Sequence, residues 1–356
     1  MYPLERRLLP GLDVEVSAIG AGCWTIGGQA TNRGVPIGWD DVDVQTAYAG
    51  LAQAYELGVT LYDTADVYGL GRSERLLGRL LCSVPRESVV ISSKVGYFAG
   101  TGPHPYHPAQ IRHQLATTLA NLGTDYLDAY FFHSTNFGGD DRYLHDAIEL
   151  MHGFPDKGLI RTIGMRAPHT FAEQWASGDG PNAAEAVRFL QLFHAIQPNV
   201  VTARYNLLSP LYAVGETDIF AFARQRNVGV LIKQILGQGL LLDRHRPDTP
   251  PTFSTADHRS RDPRFTAESL RLLRDRMAPI RSRFGETPSE LARVALRYAL
   301  QHAPDAAVLV GFRNAAQIRT NLTCLGEPLH PEEIVEIRTV LHIGSNTLTP
   351  LGGHHT

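Results

Sequence analysis

The segment "TLYDTADVYGLGRSERLLG" (residues 60–78) decides how the whole chain is read. It opens on a short apolar run and crosses a turn holding Asp63, Asp66, Tyr68 and two glycines. It closes on a stretch with leucines at helical spacing. A strand that feeds a loop and then a helix leaves polar side chains at its C-terminal end, where barrel enzymes keep their chemistry. Two questions follow: whether the unit repeats, and whether Asp63 and Tyr68 have partners at equivalent strand ends.

The unit repeats. Strand-like runs occur at 17–22, 60–65, 89–94, 127–133, 161–166, 200–206, 229–235 and 306–312. Helix-like stretches lie between them, at 41–57, 73–82, 108–122, 143–156, 183–196, 216–227, 266–302 in pieces, and 314–322. The strands are short and rich in Val, Ile and Leu, as strands covered on both faces are. Eight β-then-α units predict a closed (β/α)8 TIM barrel, with a doubly wound open sheet as the alternative. Ahead of them, "RRLLPGLDVEV" (6–16) reads as a β-hairpin about a Pro-Gly turn. Composition does not break along the chain, and no repeat, linker or low-complexity tract divides it, so residues 1–356 are expected to form a single domain. One connection, residues 236–265, is long and rich in Pro, Asp and Arg, and is expected to form a lid over an anion.

Composition narrows the function. Of 356 residues, 43% are hydrophobic and 19% charged, and the formal net charge is −3. No basic surface for nucleic acid is expected from that balance. No apolar run reaches the ~20 residues of a membrane span. Cys23, Cys82 and Cys324 lie far apart with no paired framework. Together with an N-terminus lacking an apolar signal core, they predict a cytoplasmic protein. A monomer or small homo-oligomer is expected. "HPYH" (104–107) and the terminal "GGHH" (352–355) imitate metal ligands only superficially, and no metal is expected.

In the barrel reading, Asp63 ends the second strand and Tyr68 follows it. Lys94 ends the third strand in "VVISSK", and His133 ends the fourth in "YFFHS". All four share one rim. Asp63 can balance a buried Lys94 ammonium. The ammonium is expected to lower the Tyr68 pKa from about 10. Tyr68 can then protonate a carbonyl oxygen as charge develops there, with His133 donating a hydrogen bond to the same atom.

"LYDTADVYGLGRSERLLG", "SSKVG" and "FFHS" together resemble the aldo-keto reductase superfamily. The N-terminal hairpin leading into "SAIGAGCW", then "KGLIRTIGM", "RYNLLSP" and "GFRNAAQIRTNL", falls in family order over nearly the whole chain. The resemblance implies a (β/α)8 barrel, a nicotinamide cofactor without a separate dinucleotide domain, and reversible reduction of small carbonyl compounds. It implies Tyr68 as the acid, Lys94 and Asp63 as the groups that tune it, and His133 as the group that orients substrate.

The last unit resembles the family's site for the adenosine end of the cofactor, with Gly311, Arg313, Asn314, Gln317 and Asn321 around a helix N-terminus. An Arg there grips a 2′-phosphate, which favours NADP(H) over NAD(H). Thr320 replaces the acidic residue that many members carry. "GQG", with Gly237 and Gly239, lets backbone approach a diphosphate. At the nicotinamide end the chain departs from the family. Arg166 and Ala167 replace the usual Ser-Asn, Thr202 replaces a Gln in the pattern that also contains Tyr205, and Lys233 replaces a stacking aromatic. Two of these replacements are cationic, and cations raise the energy of oxidised nicotinamide. Alternative readings are therefore a non-redox lyase, dehydratase or isomerase, with Lys233 as a candidate Schiff-base lysine, and a cofactor-sensing subunit of a larger assembly. Trp24, Tyr97 and Phe98, with loops 97–107 and 134–141, are expected to wall a substrate site suited to a sugar-like carbonyl compound.

Overall fold

The computed structural model describes residues 4–98 and 100–342. Its strands, in chain order, are β1 (Arg6–Leu9), β2 (Val14–Ser17), β3 (Ile19–Gly22), β4 (Thr31–Asn32), β5 (Val35–Pro36), β6 (Leu61–Asp63), β7 (Val90–Val95), β8 (Leu127–Phe132), β9 (Ile160–Arg166), β10 (Val200–Arg204), β11 (Gly229–Lys233) and β12 (Ala306–Gly311). The strands β3 and β6 to β12 pair side by side in parallel, and β12 closes on β3. The closed (β/α)8 barrel expected from the sequence is the fold, and the open sheet is excluded. The hairpin β1–β2 is also present.

Side-chain alternation builds the barrel interior. Leu61, Val90, Ala129, Phe131, Val200, Leu231, Ala307 and Leu309 form one inner apolar cluster. Leu9 and Val16 of the hairpin belong to that cluster, so β1–β2 plugs the N-terminal mouth. Arg7 fixes the plug by donating to the carbonyls of Leu300, Ala303 and Ala306, near the end of helix Pro288–His302. A cation is favourable at a helix C-terminus. Gly164 makes room for Phe131, because a Cβ there would lie 2.4 Å from the ring.

The helices cover the other strand face. Helix Arg72–Leu81 buries Leu76, Leu77 and Leu80 on one side. Helices Pro108–Leu122 and Ala183–Ile196 match their expected bounds. The stretch expected at 143–156 splits into helix Leu144–His152 and a 3₁₀ turn Pro155–Lys157, because proline breaks the α pattern. Elements not anticipated include the short helix Trp24–Gly27, the small hairpin β4–β5 and the terminal helix Pro331–His342. The terminal "GGHH" lies outside the described residues. Among the described residues, no helix is long and apolar enough to cross a membrane, and no cluster of His, Cys, Asp and Glu has metal-binding geometry.

Candidate active site

Two residues above the apolar floor, the same inward alternation changes chemistry. Leu61 gives way to Asp63, Val90 to Ser92 and then Lys94, Phe131 to His133, Val200 to Thr202, and Leu231 to Lys233. Arg166 stands beside Thr202 in the ladder. The site is thus the layer of the barrel nearest its C-terminal mouth. It opens into a cavity of about 450 Å³.

Asp63, Tyr68, Lys94 and His133 all line this cavity. Lys94 Nζ donates to both Asp63 carboxylate oxygens at 2.7 Å and to the Thr64 carbonyl at 2.6 Å. Ser92 Oγ donates to Asp63 Oδ1 at 2.6 Å. Both members of the ion pair are buried. The ammonium lies 4.9 Å from the centroid of the Tyr68 ring. Tyr68 meets the edge of His133 with ring centroids 6.0 Å apart and stacks on Trp24 at 6.0 Å.

One expectation is overturned here. The Lys94 charge was expected to pull the Tyr68 pKa down. Instead burial, and after it the negative charge of Asp63, holds the phenol well above its ordinary value. Lys94 is spent on Asp63 and Thr64, so its charge is already balanced. The phenol therefore keeps its proton at neutral pH, the form a proton donor needs. Burial, aided by the charges of Lys94, Lys233 and Arg166, holds the His133 imidazole neutral. Its Nδ1 is buried without a hydrogen-bond partner among the described residues.

Of the cofactor candidates, Arg166, Thr202, Lys233, Gly239, Gly311, Arg313, Gln317 and Asn321 line the cavity. Tyr205, Gly237 and Asn314 do not. Alternation turns Tyr205 outward, where it stacks on His302 with centroids 4.5 Å apart and on Tyr298 at 5.6 Å. Asn314 caps helix Ala315–Thr323 by accepting from the Gln317 N–H. Gly237, Gln238 and Gly239 all have positive φ, at 55°, 60° and 91°. The Gly237 and Gly239 N–H groups donate to the Gln234 and Leu236 carbonyls, each at 2.9 Å, so the turn spends them on itself and not on the diphosphate expected of this segment. Arg313 donates to the Asp41 carbonyl through Nη2, while its Nη1 is buried without a partner among the described residues.

The long connection does cover the cavity, through Gln238, Gly239, Leu242, Arg244, His245, His258 and Arg259. It is clamped to segment 38–40. His258 N donates to the Gly38 carbonyl at 3.0 Å, and Asp40 N donates to Asp257 Oδ2 at 2.7 Å. The His258 ring stacks on Trp24 at 4.5 Å.

The substrate wall differs in part from expectation. Trp24 and Tyr97 line it, whereas Phe98 does not. In loop 97–107, Tyr106 is fully buried and its hydroxyl donates to the Ser134 carbonyl at 2.7 Å; His104 stacks on Tyr143 at 4.8 Å. Loop 134–141 contributes no lining residue. Val35, Pro36 and Ile37 from the β4–β5 hairpin, together with Trp39, fill that place. Sequence reasoning missed them because two-residue strands carry no periodic signal. It also missed Thr25 and His169.

Residues 18–342 match the family model of the Aldo/keto reductase family. The NADH-specific methylglyoxal reductase of Escherichia coli is 25% identical over 334 residues, 90% of this chain and 94% of the relative. The glycerol dehydrogenase AKR11B4 from Gluconobacter oxydans superposes with a TM-score of 0.72 at 24% identity, covering 97% of this chain and 98% of the other. An aldo-keto reductase from Klebsiella pneumoniae in complex with NADPH superposes with a TM-score of 0.61 at 20% identity, covering 95% and 96%.

Proposed function

The chain belongs to the aldo/keto reductase family and is an oxidoreductase acting on carbonyl compounds; from that premise, we propose that it reduces a small aldehyde or ketone with NADP(H), with Tyr68 as the general acid. The observation that carries this reading is the placement of a protonated phenol, a neutral imidazole and a balanced Lys94–Asp63 pair around one cavity.

When bound, the reduced nicotinamide supplies a hydride to the carbonyl carbon. The chain's own residues handle the oxygen. Tyr68 gives it a proton, and His133, neutral and beside the phenol, helps to hold it. As the phenolate develops, the nearby Lys94 ammonium stabilises the charge that the resting phenol lacks. Asp63 keeps Lys94 in place and charged in a desolvated site. Trp24, Tyr97 and the apolar residues of the β4–β5 hairpin would exclude water from the reacting oxygen.

The choice of NADP(H) rests on the adenosine end. The charges of Arg259 and Arg313 act on each other, and Arg313 Nη1 lacks an acceptor among the described residues. A 2′-phosphate would supply that acceptor and relieve the repulsion. The relatives do not decide the matter, since one is NADH-specific and one solved relative holds NADPH. The non-redox reading is not favoured, because the relatives are named as reductases and dehydrogenases.

The test is Tyr68→Phe. Reduction of a carbonyl panel should fall by at least ~100-fold, the span of a lost general acid. NADPH should still quench the fluorescence of Trp24 and Trp39, which line the cavity. Undiminished reduction would remove Tyr68 from the acid role. Absence of quenching by NADPH in the native protein would remove the cofactor assignment.

A further inference from the structure

The inner layer of the barrel holds an unbalanced charge. Six cationic side chains line the cavity: Lys94, Arg166, Lys233, Arg244, Arg259 and Arg313. Asp63 is the one carboxylate among the described lining residues, and Lys94 uses it at 2.7 Å. Arg259 is paired outside the cavity with Asp257 at 2.7 Å. Arg244 and Arg313 stand at the lid and at the end of β12, where a dinucleotide's phosphates would lie in the proposed reading. Arg166 and Lys233 are left over at the catalytic end.

Their surroundings point to a ligand. Arg166 donates to the Tyr97 hydroxyl at 2.9 Å, and its other terminal nitrogen lies 3.1 Å from His169 Nε2. Neither partner is a carboxylate. Tyr97 meets the edge of His133 at 4.7 Å between centroids, so the guanidinium is tethered beside the group that would hold the carbonyl oxygen. Lys233 ends β11 on the inward face, and among the described residues its ammonium has neither a carboxylate nor a hydrogen-bond acceptor. Behind them Arg204 ends β10 at the Lys233 register and is likewise without an ion-pair partner among the described residues. A desolvated cation with no countercharge is strongly unfavourable, and a desolvated amine answers by holding its proton less tightly. Arg166 and Lys233, converging on one half of a cavity, form a site built for an anion.

We infer that Arg166 and Lys233 bind an anionic group on the substrate, and that the protein acts on carbonyl compounds bearing a carboxylate. The guanidinium fork matches the two carboxylate oxygens, and the ammonium supplies a point charge beside it. This rests on the proposed reductase reading for the carbonyl, while the anion site rests on the cationic layer alone. A second consequence follows from the groups that face Lys233. Burial first, then Arg166, Lys94 and Arg204, drive its ammonium well below the ordinary lysine range; only Asp63 opposes them, and the nearby His133 and His169 are held neutral. An arriving carboxylate opposes that shift and favours the charged amine, so carboxylate binding should draw a proton onto Lys233 at any pH where the resting amine is uncharged.

The experiment uses the full chain and matched probes: 2-, 3- and 4-carboxybenzaldehyde, each against its carboxamide, which has nearly the same shape without the charge. Turnover with NADPH and binding by cavity tryptophan fluorescence are both read. For at least one isomer, kcat/KM should favour the carboxylate by about tenfold or more, the scale of a charge-assisted contact. Within Arg166→Gln and within Lys233→Met, that ratio should fall to about threefold or less; using a ratio cancels any change in cofactor handling. Calorimetry in buffers of different ionisation enthalpy should show proton uptake on carboxylate binding, lost in Lys233→Met. If every acid and its amide are turned over alike, the reductase stands and the anion site falls. If nothing is turned over but the acids bind tighter than the amides, the anion site stands and the reductase reading falls. If acids and amides bind alike with no proton uptake, the inference is overturned, and this comparison needs only the native protein.

Discussion

Replacing Lys94 by Met isolates the pair at the centre of the site. Lys94 and Asp63 side chains are 5% and 7% exposed, and the variant leaves Asp63 with one remaining side-chain donor among the described residues, Ser92 Oγ at 2.6 Å. Removing one partner of a buried pair costs about 3–5 kcal/mol, because the surviving charge loses its compensation. The carboxyl can escape that charge by taking a proton. At about 1.36 kcal/mol per pH unit above an ordinary Asp value near 3.9, escape limits the loss to about 4 kcal/mol at pH 7 and about 1.5 kcal/mol at pH 5. The sign is that of a group protonated in the folded variant: its stability is whole at low pH and is lost as pH rises. Thermal unfolding of the cofactor-free protein by circular dichroism should show a Tm about 6–8 °C below native at pH 7, taking ~2 °C per kcal/mol for a chain this long. The deficit should shrink at pH 5. Adding Asp63→Asn to the variant should restore more than half of the loss, since no charge then remains unpaired. A Lys94→Met protein within ~1 kcal/mol of native at both pH values would refute the reasoning.

Asp66 is buried beside Gln114, which donates to its Oδ2 at 2.9 Å, and burial pushes its pKa up to about 7. Its folded value exceeds its unfolded one, so stability is full near pH 4 and falls as pH rises towards 7; Asp66→Asn should be stabilising by up to about 4 kcal/mol at pH 8 and neutral at pH 4, measured by denaturant unfolding. Because the Tyr68 phenol is held above its ordinary value, reduction of an uncharged aldehyde should stay level from pH 7 to 9, and an alkaline fall near pH 8 traced to Tyr68 would contradict the assignment. Arg313→Gln should weaken NADPH binding about tenfold or more while NADH affinity changes little, as fluorescence titration would show; equal losses for both would remove the 2′-phosphate contact.

The fold was legible because barrel strands carry two signals at once: apolar runs from burial on both faces, and helices at regular intervals between them. Eight such runs were found at their observed places. What escaped were elements held by tertiary contacts alone. The β4–β5 hairpin has two-residue strands, yet it supplies Val35, Pro36 and Ile37 to the cavity. Helix Pro331–His342 buries only Ile337 and Leu341, too sparse a stripe to stand out beyond the last repeating unit. The lid was recognisable from its length and arginines, but its clamp through Asp257 and His258 depends on residues some 220 positions away.

At the site, alternation explains both the success and the failure. Asp63, Lys94 and Lys233 lie at even spacing above apolar floor residues, so knowing which strand positions face inward places them together. Tyr205 sits one residue past Arg204 and faces the helices by the same rule, which motif reading alone did not apply. The direction of the Tyr68 shift could not be read from residue types, because it depends on who claims the Lys94 ammonium. In the folded chain Asp63 claims it with both oxygens, and Thr64 takes the rest. Lys233 presents the opposite case. No carboxylate of the described cavity lining is left for it once Asp63 is taken, and that imbalance exists only after eight strand ends are brought to one ring. A charge deficit is a property of the assembled layer. It makes Arg166 and Lys233 costly to the resting protein, and a carboxylate-bearing ligand is the compensation the cavity itself withholds.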